Sequence, residues 1–192
     1  MIKNKFVLTL LSLAVVSFPS IAATNSEGGT LSFTGAISDT TCTINGGGSS
    51  SLTIALNPIT VTDAGTTANT VITKNQKAFD LTFSDCAPAS VPASNLKIYF
   101  SSANISNSGL YLVNTSVNEA DAAVAKNVGF SLSTAQARST PLPLNSGLDT
   151  GISGASPTAQ TYSLVASYYK TAAAAAKAGA IQSSVVYTIS YL

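Results

Sequence analysis

The apolar residues of this chain recur with a period of two along much of its length. Leu31, Phe33, Gly35 and Ile37 alternate with Ser32, Thr34 and Ala36, which places the four on one face of an extended strand. Runs of the same kind follow at 52–56, 79–83, 96–100, 110–113, 128–132, 162–169 and 185–191. In the last of them Val185, Tyr187, Ile189 and Tyr191 share one face, and Ser184, Val186, Thr188 and Ser190 the other. Between the runs lie Gly46-Gly47-Gly48-Ser49-Ser50-Ser51, Asp85-Cys86-Ala87-Pro88, Asn107-Ser108-Gly109 and Pro141-Leu142-Pro143, all with turn or loop chemistry. Many short strands so punctuated, with no apolar stripe at helical spacing, predict an all-β sandwich in one domain.

One stretch opposes this pattern. Ala172 to Ala176, with Lys177 and Ala178, has the highest helix propensity in the chain. It is shorter than the roughly 12–15 residues an isolated helix needs, it has no apolar face to bury, and strand patterns flank it. The expectation is a loop with at most one helical turn.

The amino terminus sets the compartment. Lys3 and Lys5 precede an apolar run from Phe6 to Phe18, Pro19 breaks it, and Ser20 and Ala22 are small residues three and one before a bond. This is the pattern of a secretory signal peptide over residues 1–22, with a cut after Ala23 as the alternative. The apolar run falls short of the roughly 20 residues of a spanning helix, so no stable membrane insertion is expected. Residues 23–30 are small and polar, with Gly28-Gly29, and read as a mobile tail. Export leads to an oxidising compartment, where the chain's two cysteines, Cys42 and Cys86, are expected to pair.

Composition narrows the chemistry. Charged residues make up 9% of the chain, against about 25% in an average soluble protein. Nine basic residues face eight acidic ones, and losing Lys3 and Lys5 with the leader turns a net charge of +1 into −1. No basic cluster offers a footprint for nucleic acid. Histidine is absent, which removes Ser-His-Asp and Cys-His catalysis and histidine-ligated zinc, and no metal or cofactor is expected. The acids Glu27, Asp39, Asp63, Asp80, Asp85, Glu119, Asp121 and Asp149 are scattered. Two of them could serve a glycosidase, but tryptophan and aromatic sugar platforms are missing, and turn acids are the better reading. The glycines at 46–48 lack the Gly-Lys-Ser/Thr of a phosphate loop. Asn104-Ile105-Ser106 and Asn114-Thr115-Ser116 fit the glycosylation triplet, a weak pattern given no weight. The residues alone leave open a secreted, stand-alone carbohydrate-binding sandwich and a small two-carboxylate hydrolase.

Four features in order carry a resemblance. They are the run from Gly28 to Gly35, the Cys42 that follows, the segment Phe79-Asp80-Leu81-Thr82-Phe83-Ser84-Asp85-Cys86, and the ending Val-Val-Tyr-Thr-Ile-Ser-Tyr-Leu. With the penultimate aromatic Tyr191 and Gly179 fourteenth from the end, they resemble the subunits of type 1 and related fimbriae assembled by the chaperone-usher route. The resemblance implies an immunoglobulin-like sandwich lacking its final strand, completed by a donor strand from a neighbouring subunit, and no enzymatic activity. It divides the chain into a signal peptide (1–22), a donor-strand extension (23–37) and a pilin body (38–192). Leu31, Phe33, Gly35 and Ile37 would be the donor face. Gly179, Val185, Tyr187, Ile189 and Tyr191 would border the groove and meet the chaperone, and Cys42 and Cys86 would be the family disulfide. The implied partners are a periplasmic fimbrial chaperone, an outer-membrane usher, and copies of itself or related subunits. The implied destination is the cell-surface fimbrium, with adhesion of the cell as its purpose. The length leaves no room for a second, receptor-binding domain, so a shaft or adaptor subunit is expected.

Overall fold

A computed structural model describes residues 41–47, 51–87, 95–115 and 123–190 of the chain. The strands among the described residues, numbered in chain order, are β1 (Thr41–Ile44), β2 (Thr70–Ala87), β3 (Asn95–Ser101), β4 (Val128–Thr134), β5 (Leu148–Ser153), β6 (Gln160–Lys170) and β7 (Val186–Ser190). Alternation gives each paired strand an apolar face. The longest pairing, antiparallel between β2 and β6, sets Phe79 opposite Leu164 and Leu81 opposite Tyr162. β1 joins the free side of β2 and β4 the free side of β6, which completes a four-stranded sheet in the order β1-β2-β6-β4. The second sheet has three strands in the order β5-β3-β7, again antiparallel.

The two sheets bury their apolar faces against each other, the arrangement of a β-sandwich. Leu81, Phe83 and Leu164 from the first sheet meet Leu96, Ile98, Ile152 and Ile189 from the second. A neighbouring cluster gathers Leu112, Leu132, Leu144 and Ala166, and a third, around Ile72 and Tyr168, fills the far end. Cys42 and Cys86 are disulfide-bonded and tie β1 to the end of β2.

The strands and the sequence pattern part company in identifiable places. Residues 52–56 form no strand, although Ile54 and Leu56 are half-buried against the second cluster. Residues 110–113 form none either. Leu112 alone makes isolated bridges, to Ile105 and Phe130, because the turn at Asn107–Gly109 folds this short segment back on itself. β2 begins nine residues before Phe79, across a register shift between Ile72 and Lys77. There Asn75 takes a left-handed φ of 55° and donates to the Pro58 carbonyl at 2.7 Å, the geometry of a bulge. β5 carries Asp149 and Gly151, turn residues inside a strand, and Gly151 has φ of 68°.

The alanine run contains no helical turn. Residues 171–180 are irregular and touch the approach to β4 through bridges at Lys126–Lys177 and Val124–Ala180. Among the described residues the helical content is one three-residue 3-10 turn, Asn45–Gly47, and no helix is long and apolar enough to cross a membrane. The leader (1–22), the extension with Leu31, Phe33, Gly35 and Ile37, and the aromatic Tyr191 lie outside the described residues.

The disulfide spans a sequence separation of 44, for which the chain-entropy account gives roughly 4 kcal/mol. Cys42→Ala with Cys86→Ala is expected to lower unfolding free energy by about that amount in urea titration. A shift within experimental error would show that the closed loop is already constrained in the unfolded chain.

Candidate functional site

β7 pairs along one edge with β3, setting Ser190 opposite Lys97, Ile189 opposite Ile98, Thr188 opposite Tyr99, Tyr187 opposite Phe100 and Val186 opposite Ser101. Among the described residues it is the last strand of its sheet. Its two faces differ as the alternation requires. Ile189 is 5% exposed within the main core, Tyr187 packs against that core and Val185 against the second cluster, while Val186 on the opposite face is 46% exposed. Among the described residues three strands thus stand opposite four, and the row Val185-Tyr187-Ile189 lies at the border where the smaller sheet ends.

Beyond the start of β7 the border continues without a strand. The carbonyl of Ser184 accepts hydrogen bonds from Ser102 Oγ at 2.9 Å and Asn104 Nδ2 at 3.2 Å, side chains that stand where a backbone ladder would otherwise run. Further back, Ile181 and Gly179 line a cleft of about 140 Å³ together with Ile59, Ala64, Val128 and Tyr168. Gly179 is required by contact. A Cβ there would lie 2.3 Å from the Val124 carbonyl carbon and 2.4 Å from the Ala125 nitrogen, so a side chain would push the cleft wall off its neighbour. Tyr168 donates its hydroxyl to the Asn57 carbonyl at 3.3 Å. Burial raises the pKa of the Tyr168 and Tyr187 phenols above that of an exposed tyrosine.

Of the five residues expected along the groove, Val185, Tyr187 and Ile189 occupy this border and Gly179 the cleft at its end, while Tyr191 lies outside the described residues. Ile59, Tyr168 and Ile181 were not expected there. Ile59 follows a proline outside any alternating run, and Ile181 stands alone behind the alanines, so periodicity gives neither a face. The acids have local work. The Asp63 carboxylate accepts from Thr60 N and Oγ1 at 2.9 and 2.8 Å, Asp80 from Ser163 Oγ at 2.6 Å, and Asp149 from Gly151 N at 2.8 Å. Asp63 sits in a turn, as expected of a turn acid, whereas Asp80 and Asp149 lie inside β2 and β5, where Asp80 joins two strands.

The sequence profile of a family described as fimbrial protein matches residues 31–192, and the chain belongs to that family. No curated protein sequence matches it. Among solved structures it is similar to an antigen and type I fimbria protein of Burkholderia pseudomallei, at 18% identity and a TM-score of 0.51, over 78% of this chain and 88% of that one. It is similar to a chain of a chaperone-usher pilus, at 15% identity and a TM-score of 0.58, over 89% of this chain and 100% of that one. It is similar also to the P pilus rod subunit PapA, at 13% identity and a TM-score of 0.56, over 79% of this chain and 99% of that one. At such identities the likeness establishes the fold, the immunoglobulin-like sandwich of pilus subunits. The protein is a structural subunit of a surface fimbria.

Two expectations follow from the site. Gly179→Ala is expected to cost on the order of 1–3 kcal/mol through the forced shift of the 123–125 backbone, seen as a lowered denaturation midpoint; an unchanged midpoint would mean that the wall moves freely. Because burial holds Tyr168 and Tyr187 protonated, the folded state binds their protons more tightly than the unfolded one. Stability is therefore full below the exposed phenol value of 10.0 and falls as pH rises through the higher folded values. Urea titrations from neutral to strongly alkaline pH, followed with tyrosinate absorbance, check this.

Proposed function

We propose that this subunit polymerises by donor-strand exchange, taking a strand from the next copy along the border of β7. The observation that carries the reading is the apolar row Val185-Tyr187-Ile189 at the end of a three-stranded sheet that faces a four-stranded one. A strand added beside β7 extends the backbone ladder and brings its own apolar face onto the core, the chemistry of strand addition at a sheet edge. The segment with the matching pattern is the extension 23–37, whose Leu31, Phe33 and Ile37 each contribute roughly 1.5–3 kcal/mol when buried. Head-to-tail donation does not close on itself, so the product is a filament and not a ring.

In this account residues 1–22 direct export and are removed, residues 23–37 form the donor, and residues 38–192 form the body. A periplasmic chaperone holds the β7 border, with Tyr191 and Gly179 among its contacts, until an outer-membrane usher brings the next subunit to replace it. The finished fimbrium serves adhesion of the cell. The body itself carries out no chemistry on a substrate. Gly35, without a side chain on an otherwise bulky face, suits a shallow point of the acceptor.

Deleting residues 23–37 from the mature chain is expected to leave chaperone binding intact and to prevent the subunit from donating to its neighbour; fimbriae of normal length built from the truncated protein would refute the assignment. Replacing Ile189 and Tyr191 by serine is expected to reduce the amount of subunit recovered from the periplasm, because an uncapped core is open to proteolysis. A synthetic 27–39 peptide carrying Leu at position 35 is expected to exchange into the chaperone-held subunit more slowly than the unaltered peptide, since overfilling a packed site costs about 1–3 kcal/mol.

A further inference from the structure

The stretch from Thr171 to Ser184, which forms one wall of the cleft, is held to the sandwich by side chains and by a few scattered backbone bonds. Lys170, fully buried at the end of β6, donates its ammonium group to the carbonyls of Ala172 and Ala174. Asn127 Nδ2 donates to the Ala175 carbonyl at 2.8 Å. Lys126 and Lys177 exchange backbone bonds at 3.4 and 3.2 Å, and Ala125 N donates to the Ala180 carbonyl at 3.0 Å. Thr115 reaches the Gln182 carbonyl with its N–H at 2.8 Å and its hydroxyl at 3.0 Å. Polar fastenings thus recur along the stretch at spacings of one to three residues.

Asn114 is the centre of that series. Its Nδ2 donates to the Ala180 carbonyl at 3.0 Å and to the Ala125 carbonyl at 3.3 Å, and its Oδ1 accepts from Gln182 N at 3.0 Å. A primary amide offers the same donor and acceptor as a peptide group. Asn114 therefore takes the place of one rung of a strand ladder on both sides of Ile181, the wall residue that points the segment's apolar content toward the cleft. The triplet Asn114-Thr115-Ser116, without weight as a glycosylation signal, supplies two of the fastenings.

We propose that Asn114 is a positioning residue for strand acceptance, with Thr115 as its auxiliary, fixing the 180–182 wall and so the width of the cleft end of the groove. The donor-strand reading underlies this inference. A wall held by side chains and a handful of backbone bonds opens locally at lower free energy than one in a full ladder, so its fastenings set how fast a strand can enter while β3 and β7 stay paired. Asn114→Asp tests it, because aspartate keeps the shape and the acceptor but loses both donated bonds.

The exported subunit, purified with its chaperone, is challenged with a synthetic peptide of residues 27–39, and backbone hydrogen exchange is mapped on the same material. The Asn114→Asp variant is expected to take up peptide on the order of ten- to a hundredfold faster, the factor that corresponds to losing both donated hydrogen bonds. Protection is expected to fall at 180–184 and to persist at 186–190. Thr115→Val, which removes one hydroxyl bond and keeps the backbone bond, is expected to act in the same direction by roughly two- to threefold, and serves if the Asn114→Asp variant cannot be recovered. Unchanged uptake in the variants overturns the inference, and so does loss of protection spread evenly over the sandwich, which marks a general structural role. Failure of the unaltered subunit to take the peptide overturns the donor-strand reading, and the positioning role with it.

Discussion

The ladder between β3 and β7 is the constraint from which the rest of this subunit follows. It anchors the end strand of the three-stranded sheet along one side and turns Ile189 and Tyr187 onto the core, next to Leu96, Ile98 and Phe83. A sandwich with sheets of unequal width has an apolar border that its own smaller sheet reaches but does not overlap. That border is where strand addition yields both hydrogen bonds and apolar burial, the two gains that make a joint between subunits strong without a covalent link.

The structure divides its stability unevenly. β2, β6 and β4 form the regular part, with β6 buried on both faces from Leu164 to Lys170 and the Cys42–Cys86 bond closing one end. The segments at 51–60 and 171–185 are irregular, and they flank the cleft through Ile59 and Ile181. Regions with few ladder bonds open at lower free energy than core strands. On the proposed donor-strand route, a subunit that gives up one strand and accepts another needs such a region beside a core that does not yield. Here the alanine run supplies the small side chains that let its backbone lie close to residues 123–127, and Gly179 is the tightest point of that approach.

Much of the fold was legible in the sequence, and for a physical reason. Phe79-Leu81-Phe83, Leu96-Ile98-Phe100 and Val185-Tyr187-Ile189 are period-two patterns on strands half buried in one core, and each face emerged as the pattern specifies. Legibility failed where a strand owes its existence to a partner more than to its own residues. β5 is held by β3 despite Asp149 and Gly151, and the first part of β2 crosses a bulge at Asn75 that interrupts the alternation. Residues 52–56 show the reverse, since Leu52, Ile54 and Leu56 alternate yet form no strand among the described residues. Of the candidate site, the alternating face of β7 was readable from its residues. The wall fastenings were not, because nothing in the spacing of Asn114, Thr115 and Gln182 reveals that they meet across 68 positions of chain.

Donor-strand completion requires that the strand closing one subunit come from another. Cysteine pairs decide it most directly: Phe33→Cys combined in turn with Val185→Cys, Tyr187→Cys or Ile189→Cys, in fimbriae oxidised after assembly and separated under denaturing conditions. Covalent multimers are expected from at least one pair, in a ladder that collapses to single subunits on reduction. A bond confined within single chains, or none from any pair in fimbriae of normal length, would contradict it.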